Sequence, residues 1–468
     1  MTGWDVAMDR IAKHFAFIIV FLGGWNFALP VAQGEVALPF WSQPIQVMHG
    51  VFLTEVLLML YLLIFAATGA AGRIRVGLGE GRFVLLILGL GCLGILSAAV
   101  NLTDLLDLGQ AARFFYYAAF LLIVIRWAER LGPARILRFL LMGIAGAGML
   151  NLYYAFKIQW ATMGDLPFLM GQNGPGGILG LAVGLGAWLM LIRKTRLDAV
   201  VAVIVSLVGI FGASISYSKT AMLLAAVGVA AWVAVILAAM TGRQTRRLGA
   251  GLLALVLIIA VGISSTTAGR SYAETFKEFI RYKFYSLDYR ENTSVESRGL
   301  YFFSVAEIVA QHPLTGVGYS GFYEAVTQTV TYRSGGAVEE TASRTANPHN
   351  AFLYYASANG LPGLVVVVVL FLLFVDVLRR SLLPYYGNAG RVVWVCLSVA
   401  YFIHGNTLPT LYNTEVMYLP AAVAFSQLVL RSQLRNANDV GALRSKKCGR
   451  GSAPLIGMKA LSSARQVH

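Results

Sequence analysis

Ala351-Phe-Leu-Tyr-Tyr-Ala-Ser-Ala-Asn-Gly-Leu-Pro-Gly-Leu-Val-Val-Val-Val-Val-Leu-Phe-Leu-Leu-Phe-Val375 carries no charged side chain, and from Leu364 onward it is unbroken aliphatic and Phe. A run of this length is enough to cross a hydrocarbon core of about 30 Å as a helix. In lipid the backbone must satisfy its own hydrogen bonds, so the stretch reads as a spanning helix. Leu248–Ser265 reads the same way.

The rest of the chain extends this pattern. Of 468 residues, 57% are hydrophobic and only 13% charged, against about a quarter charged in soluble domains. Spans are expected to begin near positions 14, 46, 82, 113, 136, 175, 198, 220, 249, 351, 392 and 412. The fold class is therefore an all-α polytopic membrane protein of about twelve transmembrane helices. The first apolar stretch, near His14–Val31, has no small-residue cleavage site and reads as the first span rather than a signal peptide. Cys92 and Cys396 lie in apolar runs and Cys448 in the tail, so neither a disulfide framework nor a CxxC metal signature is expected.

Twelve spans put both termini on one side, and the basic residues say which. Arg73, Arg75, Arg82, Arg126, Arg130, Arg135, Arg138, Arg193, Lys194, Arg196, Arg243, Arg246, Arg247, Arg379, Arg380 and Arg391 fall in the short connections of the side that holds the termini. The other side shows only Arg113, Lys157 and Lys219 in its short connections. Positive residues stay inside, so the first set is cytoplasmic. The tail adds eight basic residues from Arg431 to Arg465. The net charge of +15 is thereby explained by topology and by attraction to membrane lipids, with no nucleic acid required.

Four regions follow: nine helices over 1–265, one large outer segment over 266–350, three helices over 351–432 and a basic cytoplasmic tail over 433–468. A connection as long as 266–350 is usually functional. Within it, Tyr272, Phe276, Ile280 and Phe284 recur every four residues and predict an amphipathic helix on the membrane surface, with Lys277, Arg281 and Lys283 among its polar residues. Thr293-Ser-Val-Glu296 has capping-box spacing and predicts a second helix, carrying Arg298 near its first turn and ending at His312-Pro313. The macrodipole disfavours a cation there, and an anionic ligand supplies the missing justification; a solvated arginine is the plain alternative.

After a polar tether at Arg333–Ala346 comes Asn347-Pro-His-Asn350. Asn347 is expected to cap the next helix, with Pro348 at its first position and His349 in its first turn. The positive helix end then keeps the imidazole neutral and able to accept a proton. His349 as a simple polar cap is the other reading.

Further candidates lie at the same boundary. Lys219, in Ser214-Ile-Ser-Tyr-Ser-Lys-Thr220, is the only basic residue between Arg196 and Arg243. It either snorkels or meets an anion. Arg113 opens the fourth span in Ala-Arg-Phe-Phe-Tyr-Tyr117. Gly171-Gln-Asn-Gly-Pro-Gly-Gly177 lets backbone amides approach a sugar or anion, making Gln172 and Asn173 candidate contacts. Arg290, His312 and Asn350 complete the set of candidate substrate-binding residues. Asp104 and Asp107 have useful spacing but no third ligand nearby, so a helix cap is expected and no metal is assigned. His14, His49 and His404 are isolated and expected to be structural.

Arg298, then His312-Pro-Leu-Thr-Gly-Val-Gly318, then His349-Asn-Ala-Phe-Leu353 resembles the O-antigen ligase and polymerase superfamily: an arginine, a helix ending in His-Pro-Leu-x-Gly-x-Gly, and a His-Asn pair opening the following span. The Ser-Tyr-Ser-Lys-Thr and Gly-Gln-Asn-Gly-Pro-Gly-Gly stretches and the late position of the large loop fit the same pattern. The resemblance implies a glycosyltransferase of the C-type architecture in the bacterial inner membrane, with its active site on the periplasmic side. It also implies an undecaprenyl-diphosphate-linked O-antigen as donor, a sugar hydroxyl of lipid A-core as acceptor, and no cofactor. Under it His349 and Arg298 are catalytic, and Arg298, Lys219 and Arg113 bind the donor diphosphate. The family usually has arginine where Lys219 stands; lysine keeps the charge and loses the bidentate fork. O-antigen polymerase and protein O-oligosaccharyltransferase are the neighbouring readings. A transporter or flippase is a distant one, since no related halves are visible in the sequence.

Overall fold

The structure, a computed structural model, describes residues 3–28, 46–48, 51–67, 77–101, 105–162, 174–215, 218–239, 293–331, 348, 350–406 and 417–430. Its elements in chain order are α1 (Gly3–Ala28), the strands β1 (Gln46–Met48) and β2 (Val51–Phe52), then α2 (Leu53–Ala67), α3 (Leu78–Asn101) and α4 (Leu105–Leu131). There follow α5 (Pro133–Thr162), α6 (Gly174–Ile192), α7 (Arg196–Ile215) and α8 (Lys219–Ala239). The last group is α9 (Thr293–Gln311), α10 (Phe322–Gln328), α11 (Ala351–Gly405) and α12 (Met417–Leu430).

Six of these helices are long and apolar enough to cross a membrane. Their outward surfaces keep large apolar side chains exposed, among them Leu85, Leu96, Leu237 and Val365. Water would reject such a surface and lipid accepts it. The chain is a multi-pass helical membrane protein.

Most expected starts fall within a few residues of observed ones. The span expected at 46 is corrected: residues 46–52 hold a short antiparallel hairpin, with Gln46 opposite Phe52 and Met48 opposite Val51, so α2 starts only at Leu53. The span at 249 and the amphipathic helix of Tyr272–Phe284 lie outside the described residues.

α11 corrects the reading of its sequence as well. Gly360 (φ 67°) and Gly387 (φ 52°) interrupt it, leaving helical pieces at 351–359, 361–386 and 388–405. Pro362 offers no amide hydrogen to Ala358, which makes Gly360 a natural place to break. At Gly387 the chain reverses. Phe374 and Tyr401 meet at 4.7 Å between ring centroids, and Trp394 donates its indole N–H to the Val375 carbonyl at 3.0 Å. The element is therefore a helical hairpin whose two ends, Asn350 and Asn406, join by a 2.9 Å hydrogen bond.

At the end of the bundle rich in arginine, acidic residues at helix starts meet the basic ones. Arg126 lies 3.4 Å from Glu80 and 2.5 Å from Glu129. Arg138 on α5 pairs with Asp198 on α7 at 2.9 Å, and Asp198 also accepts from the backbone N–H groups of Lys194 and Thr195. Asp198 thus closes a capping box with Thr195 while bridging two helices. Both side chains of this pair are nearly buried. Asp198→Ala should therefore lower unfolding stability by about 3 kcal/mol, because a buried guanidinium is left without its partner. Thermal melting in detergent checks this.

Small residues set the position of another candidate. A Cβ on Gly180 of α6 would stand 2.4 Å from the Ala221 carbonyl of α8, and one on Gly228 would stand 2.7 Å from the Gly184 amide. The two helices run parallel in close backbone contact. Lys219, the first residue of α8, therefore starts beside the first turns of α6.

Candidate active site

The break at Gly360 is where the large segment docks. In an unbroken helix the Ser357 carbonyl would take the Leu361 N–H and the Ala358 carbonyl an amide at position 362. Instead Ser357 accepts from Val317 N–H at 2.8 Å, Ala358 accepts from Gly318 N–H at 3.0 Å, and Leu361 N–H turns to the Pro313 carbonyl at 2.8 Å. The loop after α9 thus satisfies backbone groups that the break releases. Gly316 (φ 62°) permits the approach: a Cβ there would lie 2.4 Å from the Ser357 oxygen and 2.5 Å from the Asn359 nitrogen. Gly360 sits against the Pro313 carbonyl in the same way, its Cβ position 2.5 Å from that oxygen.

α3 holds this junction from the third side. Ser97 donates to the Ala358 carbonyl at 3.0 Å and Asn101 to the Gly316 carbonyl at 3.0 Å. Tyr319 donates to the Leu90 carbonyl at 3.4 Å and accepts from Asn359 at 3.0 Å. Its ring lies over Phe114 of α4 at 5.9 Å, and Phe114 packs edge-on against Tyr355. Gly94 gives the Tyr319 ring its place, since a Cβ there would be 2.6 Å from it. Tyr301, Val305, Ile308, Val317, Phe322 and Val326 form an apolar patch with Ala356 that fixes α9 and α10 on the first piece of α11.

α9 begins at Thr293 and ends at Gln311, close to the bounds its capping-box and His-Pro signals predict. Arg298 is its sixth residue, so it sits in the second turn rather than the first. His312 is exposed and ends the helix by donating its N–H to the Ile308 carbonyl, which marks it as a turn residue.

The start of α11 departs from expectation. Asn350 is the cap, not Asn347: its backbone is extended (φ −150°, ψ 124°), and its Oδ1 accepts from Phe352 N–H at 2.9 Å and Leu353 N–H at 3.1 Å. Pro348 accordingly lies outside the helix. An asparagine one residue after His349 does the capping as well as Asn347 would, and it also reaches Asn406. His349 thus precedes the cap instead of standing in the first turn. His349, Asn347, Arg290, Gln172, Asn173 and Asp104 lie outside the described residues; α4 starts at Leu105, directly after Asp104.

Arg113 stands one residue from Phe114, at the edge of the junction, and its guanidinium lies 3.6 Å from Glu55 of α2. Ser97, Asn101, Tyr319, Asn359 and Asn406 were not singled out by sequence reasoning. Ser97 and Asn101, four apart near the end of an apolar span, carried a usable signal, because polar residues there need partners.

On α9, Glu307 accepts from the Thr331 hydroxyl and from the backbone N–H groups of Val330 and Thr331, tying α9 to the stretch after α10. The Thr331 hydroxyl, foremost, and these amides hold its carboxyl below the usual range. A lowered folded value stabilises the clamp above the unfolded value, and that contribution is lost as pH falls through the folded one. Hydrogen exchange should show Val330 and Thr331 amides protected at neutral pH and released in acid below the ordinary carboxylate range. Glu307→Gln should remove this pH dependence.

The fold defines a class: a polytopic helical membrane protein in which the loop after α9 is bonded into a broken span. The family described as O-Antigen ligase matches residues 204–368, from the middle of α7 through the junction and into the second piece of α11. Over that segment the chain is similar to the O-antigen ligase family, whose members are glycosyltransferase-like enzymes of O-antigen processing. No curated protein matches the chain.

Proposed function

We propose that the protein is an O-antigen ligase of the bacterial inner membrane, with twelve spans and residues 266–350 as a periplasmic loop. It transfers O-antigen polysaccharide from undecaprenyl diphosphate to a sugar hydroxyl of lipid A-core. The observation that carries this reading is the docking of residues 313–318 onto the break at Gly360. It ties α9, the helix that bears Arg298, to the first piece of α11, the helix that follows His349.

In the proposed reaction the acceptor hydroxyl oxygen forms a bond to the anomeric carbon as the bond to the diphosphate oxygen breaks. His349 takes the hydroxyl proton, a role worth about 10²–10⁴ in rate. This role requires the imidazole to be neutral, so that its lone pair can accept the proton. Arg298 and Lys219 stabilise the charge that develops on the departing lipid diphosphate, with Arg113 as a further contact, so no metal is needed. Direct attack inverts the anomeric centre. Gln172, Asn173 and Arg290 are the proposed sugar contacts.

Arg298→Ala should raise the apparent KM for the donor and lower kcat, as loss of a charged contact to the diphosphate does. An unchanged donor affinity with full kcat would count against the phosphate role. The reading as a whole is tested by reconstituting purified protein with a lipid-diphosphate glycan and rough lipopolysaccharide in the presence of EDTA. Transfer to the lipopolysaccharide supports it. Elongation of the glycan alone would make the protein a polymerase, and transbilayer movement without bond formation a flippase.

A further inference from the structure

The hydrogen bond that closes the α11 hairpin ends one residue from His349. Asn350 uses both halves of its side-chain amide: Oδ1 caps the helix through Phe352 N–H and Leu353 N–H, and Nδ2 donates to Asn406 Oδ1 at 2.9 Å. Asn406 is fixed in turn, because its own Nδ2 donates to the Phe402 carbonyl at 2.8 Å and its backbone N–H to the same carbonyl at 3.0 Å. With its NH₂ group committed, only the Asn406 oxygen can face Asn350, so the pair has one orientation. Around it, Phe352, Phe371 and Phe402 pack ring against ring across the hairpin and hold the two ends at this spacing.

We propose that Asn406 is a positioning residue for the transfer reaction: it clamps Asn350 from the far end of the hairpin and thereby fixes the helix start that follows His349 in the chain. The proposal rests on the reading of His349 as the base. Asn406 does not touch the reacting atoms in this account. It acts through Asn350, leaving the donor's binding groups on α8 and α9 untouched. The sequence hides this, because the two asparagines are 56 residues apart and lie at opposite ends of two spans.

The test compares the full-length wild type with Asn406→Leu, Asn406→Asp, Asn350→Ser and the Asn350→Ser/Asn406→Leu double variant, in detergent, with the lipid-diphosphate glycan as donor. Serine still caps the helix but has no amide to reach Asn406. Leucine removes the acceptor, and aspartate keeps it. Asn406→Leu and Asn350→Ser should each lower kcat by up to ~10²-fold, as a displaced catalytic group does, and Asn406→Leu should leave the donor KM unmoved. The double variant should be no slower than the slower single one, since both remove the same bond. Asn406→Asp should be faster than Asn406→Leu. Additive losses, an effect confined to KM, or a wild-type kcat in Asn406→Leu would overturn the proposal. Should Asn406→Leu fail to fold, the ranking of Asn406→Asp above Asn350→Ser decides, and the reverse order overturns it. A wild type that folds but transfers nothing would defeat the ligase reading, and the proposal with it.

Discussion

Replacing His349 by alanine is expected to lower transfer at least ~10²-fold, the lower end of what general base catalysis contributes, while the protein still binds its donor. The reasoning runs from the helix start. Asn350 caps α11 by accepting from Phe352 and Leu353, so the residue before it stands at the mouth of a helix whose first amides carry partial positive charge. A neutral imidazole at that position has a lone pair for the acceptor proton. In the proposed mechanism the diphosphate is bound by other groups, Arg298 and Lys219, so removing the base should leave donor affinity intact. Single-turnover kinetics with pre-bound donor separate the two: the chemical step slows and the binding step does not. Full activity in His349→Ala would remove this residue from the mechanism.

The second large effect is expected from a residue with no chemistry. Gly316→Ala should undock the loop from the α11 break and abolish transfer. The added Cβ would meet backbone on three sides, at 2.4 Å from both the Ser357 oxygen and the Ala358 carbonyl carbon and 2.5 Å from the Asn359 nitrogen. No side-chain rotation relieves that. Its left-handed backbone adds about 1–3 kcal/mol of strain for any L side chain. The bonds from Val317 and Gly318 to α11 would be lost, at about 0.5–1.5 kcal/mol each. Gly387 is the control, since it also has a positive φ but nothing within 4 Å of its Cβ position. Gly387→Ala should pay strain alone and retain transfer, because its turn lies at the other end of the hairpin. Melting temperature and transfer rate measured on both variants check the contrast, and equal losses of transfer would mean that docking is not what Gly316 provides.

The architecture was legible because lipid imposes a coarse rule. Long charge-free runs and the placement of arginines locate spans, and the observed helices begin near the positions those signals mark. Local motifs with a mechanism also read well: Thr293-Ser-Val-Glu296 and His312-Pro313 bound α9 closely. The break at Gly360 did not read, because Asn359-Gly-Leu-Pro-Gly363 is uncharged and hydropathy passes over it. What makes the break stable lies in other parts of the chain, in Val317, Gly318, Ser97 and Asn101, and no local pattern reports a partner so distant in sequence. The cap at Asn350 was missed for a related reason: Asn347-Pro348 offers an equally good local start, and the choice is made by Asn406. Arg113 read as an outer cation opening a span, and its pairing with Glu55 did not read because Glu55 belongs to another helix.

The account depends on the junction facing the extracytoplasmic side, where a lipid-linked glycan and its acceptor meet. The direct measurement is labelling by a membrane-impermeant thiol reagent of Leu314→Cys, an exposed position in the docked loop, with Cys92, Cys396 and Cys448 replaced. Labelling in intact spheroplasts is the predicted result. Labelling only after the membrane is permeabilised would place the junction in the cytosol and contradict the account.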